Sequence, residues 1–199
     1  MESTKDIAYR NRLQDKETWW KKLLDVQRPY RANLRRLELG LVLEVGCGIG
    51  RNLKSLKTIG VKAIGVDHNP HSVAEANLRG FSAITSDEFN AEYSQQTAVF
   101  DSLLISHVLE HMTKREAAEL IRFYLPQLKK HGQIVIITPQ EKGFSSDPTH
   151  VEFMDFKKIA ELMKEVELTT CKEYSFPFPR FLGNVFTYNE FVVVAKKAA

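Results

Sequence analysis

Ten residues, Leu41-Val42-Leu43-Glu44-Val45-Gly46-Cys47-Gly48-Ile49-Gly50, constrain the fold more than any other stretch of this chain. Four apolar positions interrupted by one acid suit a buried parallel strand. Three glycines at alternate positions then break the strand. Without a Cβ, the backbone there turns sharply and lets a ligand approach closely. A helix-compatible run follows from Arg51 to Ile59. Strand, glycine turn and helix N-terminus together form a nucleotide-type binding site.

From residue 41 onward, strand and helix patterns alternate. The spacing predicts strands at Leu41–Val45, Lys62–Asp67, Ser82–Thr85, Phe100–Ser106 and Gln133–Thr138. Asn69-Pro70 opens a helix with Asn as N-cap and Pro at the first helical position, and Gly80 ends it. Residues 87–98 are polar and weakly helical. Thr113-Lys114-Arg115-Glu116 is a capping-box pattern, opening a helix perturbed at Pro126 and ended by Gly132. A loop from Pro139 to Met154 precedes a helix over Phe156–Val166. Two final apolar runs, Thr169–Phe176 and Glu190–Lys196, have no helix between them and must pair antiparallel or lie apart. The alternation implies an α/β fold with a parallel sheet and helices on both faces.

Before residue 41 no strand is expected. Residues 6–39 read as two helical pieces. Trp19, Trp20, Leu23, Leu24 and Val26 form an apolar stripe, Pro29 interrupts it, and Arg31–Leu39 resumes with Leu34 and Leu37 inward. This gives an N-terminal helical cap, 1–40, on a sheet domain, 41–199, within one structural unit.

Charge is uneven along the chain. Residues 1–39 hold ten Lys/Arg against six Asp/Glu, whereas the whole chain carries only +3. A basic segment attracts acidic substrates or nucleic acid, and it also suits a solvated helix face. Basic residues are not interleaved with aromatics in the way nucleic-acid binding usually requires, so nucleic acid is not the expected partner. No apolar run approaches the roughly 20 residues of a membrane span. The first residues, Met1-Glu2-Ser3-Thr4-Lys5-Asp6, lack a signal-peptide core. Cys47 and Cys171 give no disulfide or metal pattern, so the reading is cytoplasmic with no metal.

Four segments in this order resemble the class I S-adenosylmethionine (SAM) dependent methyltransferases. Glu44 to Gly50 is similar to the first motif and Gly65-Val66-Asp67 to the second. Phe100 to His111 is similar to the fourth-strand motif, and Leu128 to Ile137 to the fifth. The resemblance implies a Rossmann-like three-layer sandwich with a seven-stranded, mostly parallel sheet whose last strand is inserted antiparallel. It implies SAM as cofactor and S-adenosylhomocysteine as product. Gly46, Cys47, Gly48 and Gly50 would then lie against the methionine and ribose portion, and Glu44 would orient the loop or meet the ligand's ammonium. Asp67 would grip the ribose hydroxyls, His68 would stack on adenine, and Asp87 or Glu88 would meet the adenine amino group. Backbone at Ser106 and His107 would border the ligand.

Methyl transfer from a sulfonium needs alignment rather than an enzyme nucleophile, and an oxygen acceptor also needs a base. Histidine suits that task near neutral pH, and His107, His111 and His150 are the candidates. His150 lies in the long loop after the fifth strand and is equally a candidate substrate anchor. Five aromatics between Phe176 and Tyr188 either line an apolar acceptor pocket or pack with Trp19 and Trp20. Arg180 and Tyr188 are the candidate acceptor contacts there. The resemblance also implies a lid over SAM from the N-terminal helices, for which Tyr9, Arg12 and Trp19 are the candidates.

The sequence-level conclusion is a methyltransferase acting at oxygen on a small-molecule acceptor, monomer or homodimer. The alternatives are an RNA or protein methyltransferase docking through its basic N-terminus, and a non-catalytic SAM-binding protein.

Overall fold

The computed structural model describes residues 27–197. The apolar stripe from Trp19 to Val26 and the lid candidates Tyr9, Arg12 and Trp19 lie outside the described residues. The sheet has seven strands, β1 (Val42–Val45), β2 (Ala63–Asp67), β3 (Ala83–Thr85), β4 (Phe100–Ser106), β5 (Leu128–Pro139), β6 (Leu168–Phe176) and β7 (Glu190–Lys197), in the order β3-β2-β1-β4-β5-β7-β6. The chain packs as two compact units, one ending at Gln95 and the other starting at Gln96.

The first unit contains α1 (Arg28–Arg36), β1 (Val42–Val45), α2 (Arg51–Thr58), β2 (Ala63–Asp67), α3 (Pro70–Leu78), β3 (Ala83–Thr85) and α4 (Ser86–Tyr93). Its three strands are parallel, with Glu44 opposite Gly65 and Asp67 opposite Thr85. All four residues of β1 are buried, as a central parallel strand requires. Cys47, Leu53, Val73, Ala76 and Ala83 form a core cluster with Ala63 and Phe81 packed on it.

Two expectations need correction in this unit. The helix expected from Arg31 starts at Arg28, with Pro29 in the first turn of α1, where its missing N–H costs nothing. Residues 86–93 form a proper helix rather than a weak one. The reason is Thr85, whose hydroxyl accepts the Glu88 N–H while Glu88 returns to the Thr85 N–H, a capping box.

The second unit contains β4 (Phe100–Ser106), a 3₁₀ turn (Leu109–His111), α5 (Lys114–Tyr124), β5 (Leu128–Pro139), α6 (Glu141–Phe144), α7 (Phe156–Glu165), β6 (Leu168–Phe176) and β7 (Glu190–Lys197). β4 and β5 are parallel, and β7 runs antiparallel to both β5 and β6. The two C-terminal apolar runs therefore pair antiparallel. The capping box Thr113–Glu116 forms as its spacing predicts.

Gly132 does not end a helix. α5 stops at Tyr124, a 3₁₀ turn holds Pro126, and β5 starts early, at Leu128. Phe100 pairs with Leu128 and Ser102 with Gln133, so residues 129–132 bulge out of the ladder. The loop expected after β5 also holds one short helix, α6. Among the described residues no helix is long and apolar enough to cross a membrane.

Candidate active site

In the first unit the glycine turn is held from two sides. Gly46, Gly48 and Gly50 take φ values of +76°, +52° and +84°, the left-handed region that glycine enters without strain. The Gly46 and Cys47 N–H groups both donate to Val66 O, at 2.8 and 3.0 Å. Gly48 N–H donates to Asp67 Oδ2 at 2.8 Å. Asp67 Oδ1 accepts the Asn69 N–H at 2.8 Å, and Asn69 Oδ1 in turn caps α3 through His71 and Ser72 N–H. The Asp67 carboxylate thus joins the glycine turn to the next strand-to-helix turn. His68 stays half exposed, with Nδ1 3.6 Å from Asp67 Oδ1.

Glu44 points from β1 to the start of α2. Its carboxylate takes hydrogen bonds from the Asn52 side chain and the Leu53 N–H, serving a helix N-terminus whose N-cap, Gly50, has no side chain. Its second oxygen, Oε2, is buried with no hydrogen-bond partner. Burial, aided by the Asp67 charge, outweighs the Asn52 and Leu53 hydrogen bonds and raises its pKa to about 8. Cys47 is also buried, and burial beside Glu44 and Asp67 pushes its thiol far up, which makes it an inert packing group.

Of the two acids after β3, Glu88 is spent on the Thr85 cap, with Oε2 2.7 Å from Thr85 N and 2.9 Å from its Oγ1. Asp87, beside it in the first turn of α4, is exposed.

In the second unit the end of β4 carries a histidine between two acids. His107 follows the buried Ser106 and has φ +58°, unusual for a residue with a side chain. Its Nδ1 lies 3.2 Å from Glu110 Oε1 and its Nε2 2.8 Å from Glu190 Oε1. Burial alone would lower its pKa, but the two carboxylates overcome that and raise it to about 10. Both ring nitrogens are engaged, which leaves none to take an acceptor's proton, and His107 does not fit the role of base.

His111 and His150 do meet, ring edge to ring face, with centroids 4.8 Å apart. Two features hold the loop carrying His150 against the 3₁₀ turn. The carbonyl of Glu110 accepts the N–H groups of Val151 and Glu152, at 2.7 and 3.2 Å. His111 Nδ1 lies 3.2 Å from both the carbonyl oxygen and the hydroxyl of Thr149. His150 Nδ1 lies 2.7 Å from Phe144 O, and the ring stacks on that of Phe144 at 5.2 Å. Burial lowers the His111 pKa, favouring neutral imidazole.

Arg180 makes a two-pronged ion pair with Glu141 and lies over the Phe191 ring at 4.8 Å. Tyr188 is exposed and meets Phe186 edge-on. The connection from β6 to β7 is held by a polar cluster that the sequence did not flag. Asn189 Nδ2 donates to Gln140 Oε1, Ser175 Oγ and Pro179 O, and Gln140 Nε2 donates to Ser175 Oγ and Glu190 O. Glu110, Glu190, Gln140 and Asn189 were all missed. The sequence signal of Gln140, Asn189 and Glu190 is polarity at or beside a strand end, and that of Glu110 is polarity in a turn.

Residues 23–173 match the family model described as a methyltransferase domain. The chain belongs to this family, the SAM-dependent methyltransferases. It is 26% identical over 161 residues to an uncharacterized methyltransferase from Bacillus licheniformis, spanning 78% of this chain and 71% of that one. A ubiquinone biosynthesis O-methyltransferase from Xanthomonas oryzae pv. oryzae is 28% identical over 134 residues. That match spans 60% of this methyltransferase and about half (55%) of the Xanthomonas protein.

A SAM-dependent methyltransferase from Archaeoglobus fulgidus shares the fold with TM-score 0.67 and 21% identity, covering 96% of this chain and all of that one. Magnesium protoporphyrin IX methyltransferase from Synechocystis, solved with bound SAM, shares it with TM-score 0.61 and 16% identity, over 89% and 79% of the two chains. The methyltransferase fold is thus the expected one: seven strands, mostly parallel, with β7 inserted antiparallel.

The residues present suit SAM. The bare backbone of the glycine turn admits close approach, and a buried, unpartnered carboxylate oxygen on Glu44 suits an ammonium group.

Proposed function

We propose that this methyltransferase transfers the methyl group of SAM to an oxygen atom of a small-molecule acceptor. Gly46, Cys47, Gly48 and Gly50 would hold the cofactor through backbone. Glu44 would meet its ammonium, Asp67 its ribose, and His68 or Asp87 its adenine. When bound, SAM supplies an electrophilic methyl carbon on a cationic sulfur, and the acceptor oxygen attacks it in line. The protein's own share is alignment, exclusion of water and help in removing the acceptor's proton.

The observation that carries the oxygen reading is the His111–His150 pair. Each ring has its Nδ1 beside a backbone carbonyl, which fixes the proton there and leaves Nε2 with a lone pair. Two ring nitrogens with lone pairs, presented together, suit an acceptor hydroxyl better than an amine, which needs no such help once neutral. The Xanthomonas relative, named for O-methylation, supports the same reading. Exposed Phe178, Phe181, Val185 and Tyr188 offer an apolar surface for an acceptor of modest size. In this reading residues 41–199 form the SAM-binding domain. The exposed free thiol of Cys171 suits a reducing compartment such as the cytoplasm.

The test is transfer of radiolabel from methyl-labelled SAM to a panel of phenols, hydroxyquinols, amines and thiols. Label on the hydroxyl compounds alone supports the proposal, and label on amines alone overturns it. Single-turnover transfer by His150→Ala tests the pair. Undiminished transfer at saturating SAM would remove His150 from the acceptor site.

A further inference from the structure

Glu110, His111 and His150 each bring a ligand-type atom to one point: a carboxylate oxygen and two ring nitrogens lie within 4.8 Å of one another. From these residues we infer that the second unit holds a divalent transition-metal ion beside the 3₁₀ turn after β4. The inference deepens the proposed O-methylation and rests on it only for its purpose, not for the binding itself.

The three groups are prepared as ligands in different ways. Glu110 is completely buried. Its Oε1 faces His107, while its Oε2 is inaccessible to water and has no hydrogen-bond partner. A buried carboxylate oxygen left unpaired is costly, and a cation would remove that cost.

His150 gives its Nδ1–H to the Phe144 carbonyl at 2.7 Å, which leaves the lone pair on Nε2. At His111 the assignment follows from a relay. The Thr149 hydroxyl donates to Asp147 Oδ1 at 2.7 Å, so its oxygen can only accept from His111, as does the Thr149 carbonyl. His111 therefore also carries its proton on Nδ1 and its lone pair on Nε2. Histidine ligands are commonly oriented in this way, the far nitrogen donating to a carbonyl or to a group backed by a carboxylate.

Position is fixed as well as protonation. The Glu110 carbonyl binds Val151 and Glu152 N–H, so the residue before His150 and those after it are both tied to the turn that bears Glu110 and His111. Phe144 stacks on the His150 ring and is itself held edge to face by Phe153, which limits rotation of the His150 ring.

Two imidazoles and one carboxylate form a borderline donor set. It favours zinc, cobalt, iron or manganese over calcium, which prefers all-oxygen sites. Three protein ligands leave positions open to water or to an oxygen donor. An ion here would present such a position to an acceptor hydroxyl and favour its ionised form, doing at the histidine pair what a free base would otherwise do.

Direct binding tests the inference without an activity assay. The full chain, untagged and freed of metal with a chelator, is titrated with cobalt(II) chloride, and the visible spectrum and equilibrium dialysis are followed. One ion per chain is expected, with His150→Asn and His111→Asn each weakening binding at least tenfold and Glu110→Gln at least as much. His71→Ala and His131→Ala serve as surface controls and are expected to bind as the parent does. Because Glu110 is buried, its variant is accepted only if S-adenosylhomocysteine still binds by calorimetry; the half-buried His150→Asn carries the test if it does not. Absence of stoichiometric cobalt, or equal binding by His150→Asn and the parent, overturns the inference. Retained S-adenosylhomocysteine binding in that event leaves the methyltransferase reading standing, whereas its loss would count against that reading instead.

Discussion

Asp67 Oδ2 accepts the Gly48 N–H at 2.8 Å, tying the end of β2 to a glycine turn nineteen residues earlier in the chain. The same carboxylate accepts the Asn69 N–H through its other oxygen. A residue expected to grip a ribose therefore also sets the shape of the turn that approaches the ligand. Asp67→Ala removes both functions, and SAM affinity is expected to fall by about 100-fold or more, with a stability loss of about 2–3 kcal/mol from two charge-assisted hydrogen bonds. Asp67→Asn keeps one acceptor oxygen and should fall between the two. Calorimetric titration with SAM, beside denaturant unfolding, measures both. Unchanged affinity in Asp67→Ala would overturn the cofactor assignment of this residue.

Glu44 predicts a pH dependence with a definite sign. Its folded pKa is about 8, against 4.5 for a free carboxyl. The folded state holds this proton more tightly, so the associated stability is complete below pH 4.5. It declines as pH rises toward 8 and is constant above that. The unliganded chain should lose a few kcal/mol from this group across the window, an order-of-magnitude figure. Glu44→Gln should flatten the slope, read from urea unfolding at pH 5, 6.5 and 8. Parallel slopes in parent and variant would show that Glu44 does not titrate there. A SAM affinity that strengthens with pH over the same interval, and only in the parent, would place the ammonium beside this carboxylate.

Gly65 is a packing requirement rather than a turn. A Cβ there would lie 2.6 Å from Cys47 Sγ and 2.7 Å from Cys47 Cβ, inside the core cluster behind the glycine turn. Gly65→Ala must push the turn away from β2 and should cost about 1–3 kcal/mol. Because Cys47 lies between Gly46 and Gly48, the variant should also bind SAM more weakly. A thermal melt within one degree of the parent would show that the turn yields without strain.

What was legible in the sequence was whatever local chemistry dictates. The glycine spacing, the Asn69-Pro70 start and the Thr113–Glu116 capping box all act within a few residues, and all formed as expected. The box at Thr85–Glu88 was equally legible, but the polar composition after it obscured the signal. The start of α1 at Arg28 rather than Arg31 was hidden because proline suits a first helical turn as well as a break, and the apolar pattern does not distinguish the two. The cluster of Glu110, His111 and His150 was only half visible. Glu110 and His111 are adjacent, but His150 reaches them through a loop whose anchors are backbone carbonyls, and those leave no mark on residue type.

Arg180 offers a last distinction, between reading an acceptor's anion and holding the β6–β7 connection. Its guanidinium already grips Glu141 with two nitrogens and lies over Phe191. Both partners of the pair are more than a third exposed, so solvent screening leaves it a small share of stability. The contact with the Phe191 ring is less sensitive to salt. Arg180→Ala is therefore expected to lower stability by about 1 kcal/mol, most of it persisting in 0.5 M salt, an ionic strength well beyond the ~0.1 M at which exposed charges are already screened. Arg180→Lys should lose the two-pronged geometry and recover little. If Arg180 also contacts the acceptor, KM for an anionic acceptor should rise in both variants while kcat is unchanged. An acceptor KM equal to the parent's, together with the stability loss, would confine Arg180 to holding the connection and leave acceptor contact to Tyr188 and the exposed aromatics around it.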